Sequence, residues 1–370
     1  MLSSLELCDW KSFGKGSRSR LPFAPLTLLV GPNASGKSNA LDALRFLQGC
    51  ALGYPVDHVL GGRWEGQRQI WPPIRGGIVE AARQGSSRFT LVAKWSFGSR
   101  ELEYYLIVDT GEGVQIAGEG LFEPSNVDEG GDVVARFHSH GGGLRQLLGQ
   151  TESEVRTALR QAVFLDIQPS LMRDYRPENG AHLGTSGENI SPVLEALGRT
   201  PGRLEDIVEW LSELCAPEIE RIEFDRTRLR EVMMLLVERS GRTISARSAS
   251  DGTLRFLGEL VALLTCPEGS LVVLEEPDVG LHPSRIRLLA ELLERVTAER
   301  NIQVVATTHS PTLLAHLSPE ALGNVIAFGR DQAEGTTVCS RLKDLPHFAT
   351  LRDAKDLEHL VSTGWLERAL

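Results

Sequence analysis

The sequence predicts an α/β fold built on a parallel sheet, with an antiparallel β subdomain near the N-terminus and a helical insert in the middle. Three observations predict it. First, Leu26 to Val30 is a short apolar run ending at Gly31, and Ala40, Leu41, Leu44 and Leu47 recur at helical spacing after Lys37. That order is strand, glycine loop, helix. Second, Arg88 to Asp109 alternates, with Phe89, Leu91, Ala93, Trp95 and Phe97, then the turn Gly98-Ser99-Arg100, then Leu102, Tyr104, Leu106 and Val108. A period of two on both sides of a turn is an antiparallel hairpin. Third, the last part alternates helix and strand: a helix from Leu254 to Leu264, the strand Leu271 to Leu274, a helix through Ile286, Leu289, Leu293 and Val296, and the strand Ile302 to Thr308. Such alternation implies a parallel sheet, because each helix carries the chain back to the starting end of the next strand.

Between these parts, further short strands are expected at Val114 to Ala117 and Val133 to Phe137, broken by glycine-rich loops. From Leu144 to Cys215 the pattern is mostly helical, interrupted by a polar loop from Pro177 to Gly187. The expected division is an N-terminal lobe over 1–140, a helical insert over 141–240, a C-terminal lobe over 241–330 and a tail over 331–370.

Composition narrows the function classes. A chain of 370 residues that is 41% hydrophobic can bury a sizeable core. Its 39 Lys and Arg against 49 Asp and Glu give a net charge of −10, which excludes a surface coated with phosphate-binding charge and leaves room for a local basic groove. The five cysteines, Cys8, Cys50, Cys215, Cys266 and Cys339, are odd in number and scattered without a CxxC pair. Neither a disulfide framework nor a zinc site is expected. Every apolar run is far shorter than the ~20 residues that cross a bilayer, and the N-terminus has no basic region followed by an apolar stretch. A cytoplasmic protein is expected.

The chemistry sits in a few motifs. Gly31-Pro32-Asn33-Ala34-Ser35-Gly36-Lys37-Ser38 fits GxxxxGK(S/T) between a strand and a helix. Glycines let backbone N–H groups turn inward around phosphate oxygens, and the helix N-terminus adds its positive dipole end. Lys37 is expected to reach the β- and γ-phosphates of ATP and Ser38 to place its hydroxyl on Mg²⁺. Far along the chain, Leu271-Val272-Val273-Leu274 runs into Glu275-Glu276-Pro277-Asp278. A strand ending in paired carboxylates delivers one acid to a metal, here Glu275 where Asp is usual, and one to water, Glu276. The strand through Val304 and Val305 ends in Thr307-Thr308-His309-Ser310, placing a histidine at a strand tip where it can meet a γ-phosphate or the attacking water. His138-Ser139-His140 lacks acidic or thiol partners in pattern, and Arg173 and Arg176 beside Tyr175 form one short basic cluster in an acidic chain. The histidines read as a structural or exposed pair and the arginines as a solvated loop.

These motifs, with the Lys11-Ser12-Phe13 segment and RSASDGTLRFLGEL, LEEPDVGLHP and ATTHSP in that order, resemble the ABC-type ATPases of the SMC, RecF and OLD group. The resemblance is closest to stand-alone bacterial AAA-family proteins whose heads look like those of OLD nucleases. It implies an ATP-hydrolysing head in which Ser250-Asp251-Gly252-Thr253 stands for the signature loop, without its leading leucine and final glutamine. Ser250 and Gly252 would then face the γ-phosphate bound by an opposite copy, so that ATP joins a homodimer. It also implies that His309 is the switch histidine and Asp278 to Pro283 the loop beside it. Gln67 and Gln69 lie a plausible distance beyond the phosphate loop, with no neighbour that selects either. The group points to DNA repair or defence against invading DNA, with DNA and a separately encoded nuclease or toxin as partners. Only a short stretch follows His309, so no Toprim nuclease domain is expected within the chain. A regulatory ATP sensor with little turnover is the alternative, and a transporter motor subunit is less favoured because Lys37 and Ser250 are so far apart in sequence.

Overall fold

The computed structural model describes residues 1–14, 19–123, 153–178, 182–214 and 218–345. A six-stranded sheet runs through its centre, in the spatial order Thr337–Arg341, Ile326–Arg330, Leu26–Val30, Gln303–Thr308, Leu271–Glu275, Val163–Leu165. Every neighbouring pair is parallel except the first, a hairpin. Leu26–Val30 and Gln303–Thr308 are buried at every position, which is why they read as continuous apolar runs: a parallel sheet has no wet face.

Alternate residues of these strands feed two separate cores. Leu26, Leu28, Val30, Val272, Leu274, Val304 and Ala306 pack with the Asp251–Thr265 and Pro283–Glu299 helices. Leu29, Leu271, Val273 and Val305 face the other way, towards Ala40, Leu41, Leu44 and Leu47 of the Lys37–Ala51 helix. That helix is sandwiched in turn by a second, antiparallel sheet ordered Arg20–Pro22, Leu2–Cys8, Arg88–Phe97, Arg100–Asp109, Gln115–Phe122. The join is aromatic: Trp10 lies 5.5 Å from Phe46 and 4.9 Å from Phe89, centroid to centroid, in tilted and edge-on geometry.

The expected hairpin pairs Phe89 with Val108 and Phe97 with Arg100, and the expected strand after it extends over Gln115–Phe122. Val133 to Phe137 and the His138–His140 pair lie outside the described residues. The 141–240 span departs from the helical insert expected of it. It does carry the helices Glu154–Arg160, Ile190–Leu197 and Arg203–Leu214. It also supplies Val163–Leu165 to the central sheet and most of a third, antiparallel sheet, built on Ile219–Arg226 and Glu231–Glu238 with Arg176–Pro177 beside them; Thr243–Ser245, just past the span, completes it. A short apolar run such as Val232 to Val237 has no period that separates strand from helix, and cross-strand pairing decides it.

One buried side chain ties the two main sheets together. Gln303, 3% exposed, accepts from the Leu2 N–H at 2.9 Å and donates to the carbonyls of Leu2 at 2.7 Å and Ala24 at 3.1 Å. Gln303→Leu fills the same space and orphans these backbone groups, at a cost of about 3 kcal/mol. The urea midpoint should fall accordingly with an unchanged m-value. A midpoint within 0.5 kcal/mol of wild type, converted through m, would show that the amide is not the tie.

Candidate nucleotide site

Strand register brings the motifs to one edge. Val30 is level with Thr308, Leu29 with Thr307, and Thr307 with Glu275. The next residues along the three adjacent strands are Gly31, His309 and Glu276, so the phosphate loop, the histidine and the paired acids emerge side by side. This is the carboxyl edge of a parallel sheet, where open α/β folds place their ligands.

The loop itself is held in a conformation that its sequence permits only in part. Gly36 has φ +109°, and a Cβ there would stand 2.2 Å from Thr337 Oγ1, so both backbone angle and space demand glycine. Ala34 adopts φ +62° despite its side chain. Asn33 and Ala34 are exposed at the crest, while Ser35, Gly36 and Lys37 are buried. Lys37 Nζ donates to the carbonyls of Gly31 at 2.8 Å and Pro32 at 2.9 Å, at the mouth of the loop. Burial pushes its pKa down to about 8, against the pull of Glu276. The Ser35 hydroxyl, 1% exposed, has no hydrogen-bond partner among the described residues.

Ser38 and Glu275 meet directly. Ser38 Oγ donates to Glu275 Oε1 at 3.0 Å, the spacing that two oxygens at right angles take around an ion bound at about 2.1 Å. The extra methylene of Glu275, compared with Asp, is used to reach this hydroxyl. Among the described residues no group of three or more His, Cys, Asp or Glu converges. These donors therefore fit Mg²⁺, which takes few protein ligands and completes its shell with phosphate and water, better than a metal caged by protein.

Arg75, which no motif marks, stands beside this pair. Its Nη1 donates to Glu275 Oε1 at 2.8 Å, its Nε to Asp42 Oδ1 at 3.1 Å, and its Nη2 to the Ser38 carbonyl at 3.2 Å. Hydrogen bonds and charge from Glu275 and Asp42 outweigh desolvation and raise its pKa further. Lys11 Nζ joins from the other side, donating to Asp42 Oδ2 and to the Arg75 carbonyl, each at 2.6 Å. Two clefts flank Arg75. One, of about 640 Å³, runs past Lys11, Ser12, Asn39 and Arg330, and the other, of about 670 Å³, past Glu275, Gln69 and Gln168. Gln168 follows the strand next to Leu271–Glu275, a placement only the sheet order reveals.

Glu276 and His309 form the second pair, Oε1 to Nε2 at 3.3 Å. Glu276 has φ +50°, a left-handed backbone that costs a non-glycine residue of order 1 kcal/mol. Its N–H donates to Thr307 Oγ1 at 3.1 Å, fixing that turn to the neighbouring strand. Burial first and Lys37 second lower the His309 pKa, outweighing Glu276 and Asp278. The imidazole is therefore neutral at pH 7 and can share a proton-bearing hydrogen bond with the carboxylate. Asp278 is half-buried, and desolvation raises its pKa.

Ser250 caps the Asp251–Thr265 helix, its hydroxyl accepting from Thr253 N at 3.1 Å. A Cβ on Gly252 would lie 2.4 Å from the Gly280 carbonyl, so this loop packs backbone to backbone on the turn that follows Glu276. Arg173 holds the approach to it, donating to the carbonyls of Ala246, Arg247 and Ala249 at 3.1, 2.8 and 2.8 Å and pairing with Asp251. Backbone carbonyls and a carboxylate thus engage this guanidinium, where the sequence predicts a solvated loop side chain.

Residues 26–81 and 153–315 match the family described as "AAA domain, putative AbiEii toxin, Type IV TA system", together more than half of the chain. An OLD nuclease of Thermus scotoductus is 24% identical over 324 residues, covering 79% of this chain and 56% of the relative. The chromosome partition protein Smc of Rhodopirellula baltica is 47% identical over 49 residues, 13% of this chain and 4% of the relative. The chain thus spans about half or less of the length of these curated relatives. Among solved structures, the SMC head domain from Thermotoga maritima superposes with TM-score 0.50 at 16% identity, covering 92% of this chain and 98% of that one. An SmcHead solved bound to the C-winged helix domain of ScpA gives 0.50 at 14% identity, covering 92% and 96%. The fold is that of an SMC-type ABC-ATPase head.

The depressed pKa of Lys37 carries a stability signature. Between pH 8 and its ordinary value of 10.5 the folded chain has released a proton that the unfolded chain retains, so this group's contribution rises with pH across that window. Below pH 8 its cost is fully present. The stability difference, Lys37→Met minus wild type, should therefore be largest below pH 8 and shrink as pH climbs through 10.5. A difference that stays flat over the window would show an unperturbed lysine.

Proposed function

Because the chain belongs to the family described as AAA domain, putative AbiEii toxin, Type IV TA system, we propose that it binds and hydrolyses ATP, at a site completed by a second copy. One observation carries the reading. The level ends of three adjacent strands place Lys37, the Ser38–Glu275 pair and the Glu276–His309 pair along a single edge.

Each group has a task that its surroundings support. The inward backbone of Gly31 to Ser38 binds the phosphates, and Lys37 is the buried cation at that loop. Ser38 and Glu275 would hold Mg²⁺, which when bound neutralises charge on the transferred phosphoryl group. Glu276 polarises the attacking water, and neutral His309 orients the Glu276 carboxylate and senses the γ-phosphate. Ser250 and Gly252 of a second copy close the site from the far side. The packing of Gly252 on Gly280 supports that coupling, because closure at one loop is felt at the turn bearing Glu276. A head that closes on ATP and opens after hydrolysis fits work in DNA repair or in defence against invading DNA, with a separately encoded nuclease or toxin as effector. Similarity to an OLD nuclease and the family's description favour that setting.

Glu276→Gln should bind ATP, hydrolyse it at least about 100-fold more slowly, and accumulate as an ATP-bound dimer by light scattering. A variant that stays monomeric with ATP while the wild type dimerises contradicts the role given to Glu276.

The shared site has its own test. Lys37→Ala and Ser250→Arg should each be inactive alone, the first through lost phosphate contact and the second through a blocked dimer face. A mixed dimer contains one site with both halves intact, so mixing should restore part of the ATPase activity. Heterodimers that form without recovering any activity would rule out independent composite sites.

A further inference from the structure

We propose that Asn39, Ser12 and Thr337 form a directed hydrogen-bond relay that positions the phosphate loop from its outer side; the effect on ATP rests on the nucleotide reading above.

The direction of the relay follows from counting protons. A threonine hydroxyl has one, and Thr337 donates it to the Ser35 carbonyl at 2.8 Å. The 2.7 Å contact between Ser12 Oγ and Thr337 Oγ1 must then run from Ser12 to Thr337. Ser12 Oγ in turn accepts from Asn39 Nδ2 at 2.7 Å. The chain is thus amide, hydroxyl, hydroxyl, carbonyl, with every link short and each polarising the next. The two outer segments are locked to each other as well, since the Thr337 N–H donates to the Ser12 carbonyl at 2.8 Å and Phe13 bridges Thr337 in parallel.

The end point explains what the relay does. In a trans peptide the carbonyl and the following N–H point in opposite directions. Drawing the Ser35 carbonyl outward to Thr337 turns the Gly36 N–H into the loop, where an anion would sit. The neighbouring carbonyl, of Ala34, is drawn outward by Arg330 Nε at 2.8 Å, and Arg330 also braces the hairpin end through the Gly335 carbonyl at 2.6 Å. Ala34 is the residue with φ +62°. A left-handed alanine persists only where its surroundings over-determine it, and Arg330 and Thr337 supply those constraints from one hairpin. Gly36 fits against the relay so closely that any Cβ would strike Thr337 Oγ1. Thr337 and Arg330 touch neither the acids nor the histidine, so they are positioning residues, acting through the loop backbone.

Thr337→Val keeps the shape and removes the proton. Hydrogen–deuterium exchange over residues 31–38, without nucleotide, should become several-fold faster, and the Kd for ATP by titration calorimetry should rise about tenfold, the loss of one hydrogen bond. Thr337→Ser should restore both, since it returns the hydroxyl alone. Arg330→Gln, at an exposed position, should also speed exchange, and it decides the matter should Thr337→Val fail to fold. Wild-type exchange in a folded Thr337→Val, failure of Ser to rescue it, or, where Thr337→Val does not fold, wild-type exchange in Arg330→Gln, would overturn the relay. A wild type that binds no ATP, with a loop that still loosens in Thr337→Val, would remove the nucleotide reading and leave the relay standing.

Discussion

The site depends on the register of three adjacent parallel strands. Val30, Thr308 and Glu275 end within one residue of the same level, and the loop, the histidine and the acids are simply what comes next in each chain segment. A slip of one residue in any strand would exchange the residues facing the two cores and move its functional tip away from the edge. The register is secured by burial on both faces. Leu29 and Val305 go to one core and Leu28, Val304 and Ala306 to the other, so neither face can be traded for solvent.

On that frame the electrostatics are arranged as two cation–carboxylate groupings with different characters. Arg75 and Lys11 surround Asp42, and Arg75 extends to Glu275, a set in which hydrogen bonds are made along with the charges. Lys37, by contrast, is buried against carbonyl oxygens with Glu276 as its main counter-charge, and desolvation wins, lowering its pKa to about 8. The difference has a functional sense. A guanidinium fixed by two carboxylates keeps Glu275 beside Ser38, whereas an ammonium hydrogen-bonded to carbonyls would, in the function proposed above, gain most from an incoming polyanion. His309 shares in this field, since the charge of Lys37 adds to burial in keeping the ring neutral beside Glu276.

Of the six non-glycine residues at positive φ among the described residues, two lie at this edge. Ala34 and Glu276 are both non-glycine residues at positive φ, one at the crest of the phosphate loop and the other at the turn after the acidic strand. Each is held by a side chain from a different strand: Arg330 for Ala34, Thr307 for Glu276. The cost of the left-handed backbone is met by neighbours that converge only in the folded chain, which holds both turns rigid.

The sequence by itself determined the local elements and their chemistry. The strand–loop–helix at Leu26 to Leu47, the hairpin pairing Phe89 with Val108, and the acids after Leu274 were legible because backbone periodicity and glycine placement are short-range properties. It did not reveal that 141–240 contributes Val163–Leu165 to the central sheet and most of an antiparallel sheet, since a short apolar run carries no period and is assigned by its pairing partner. Nor did it mark Arg75, Gln168 or the Asn39–Ser12–Thr337 relay. Polar residues at such distances along the chain acquire a role only when tertiary packing sets their donors and acceptors within about 3 Å of each other, and no spacing in the linear chain encodes that approach.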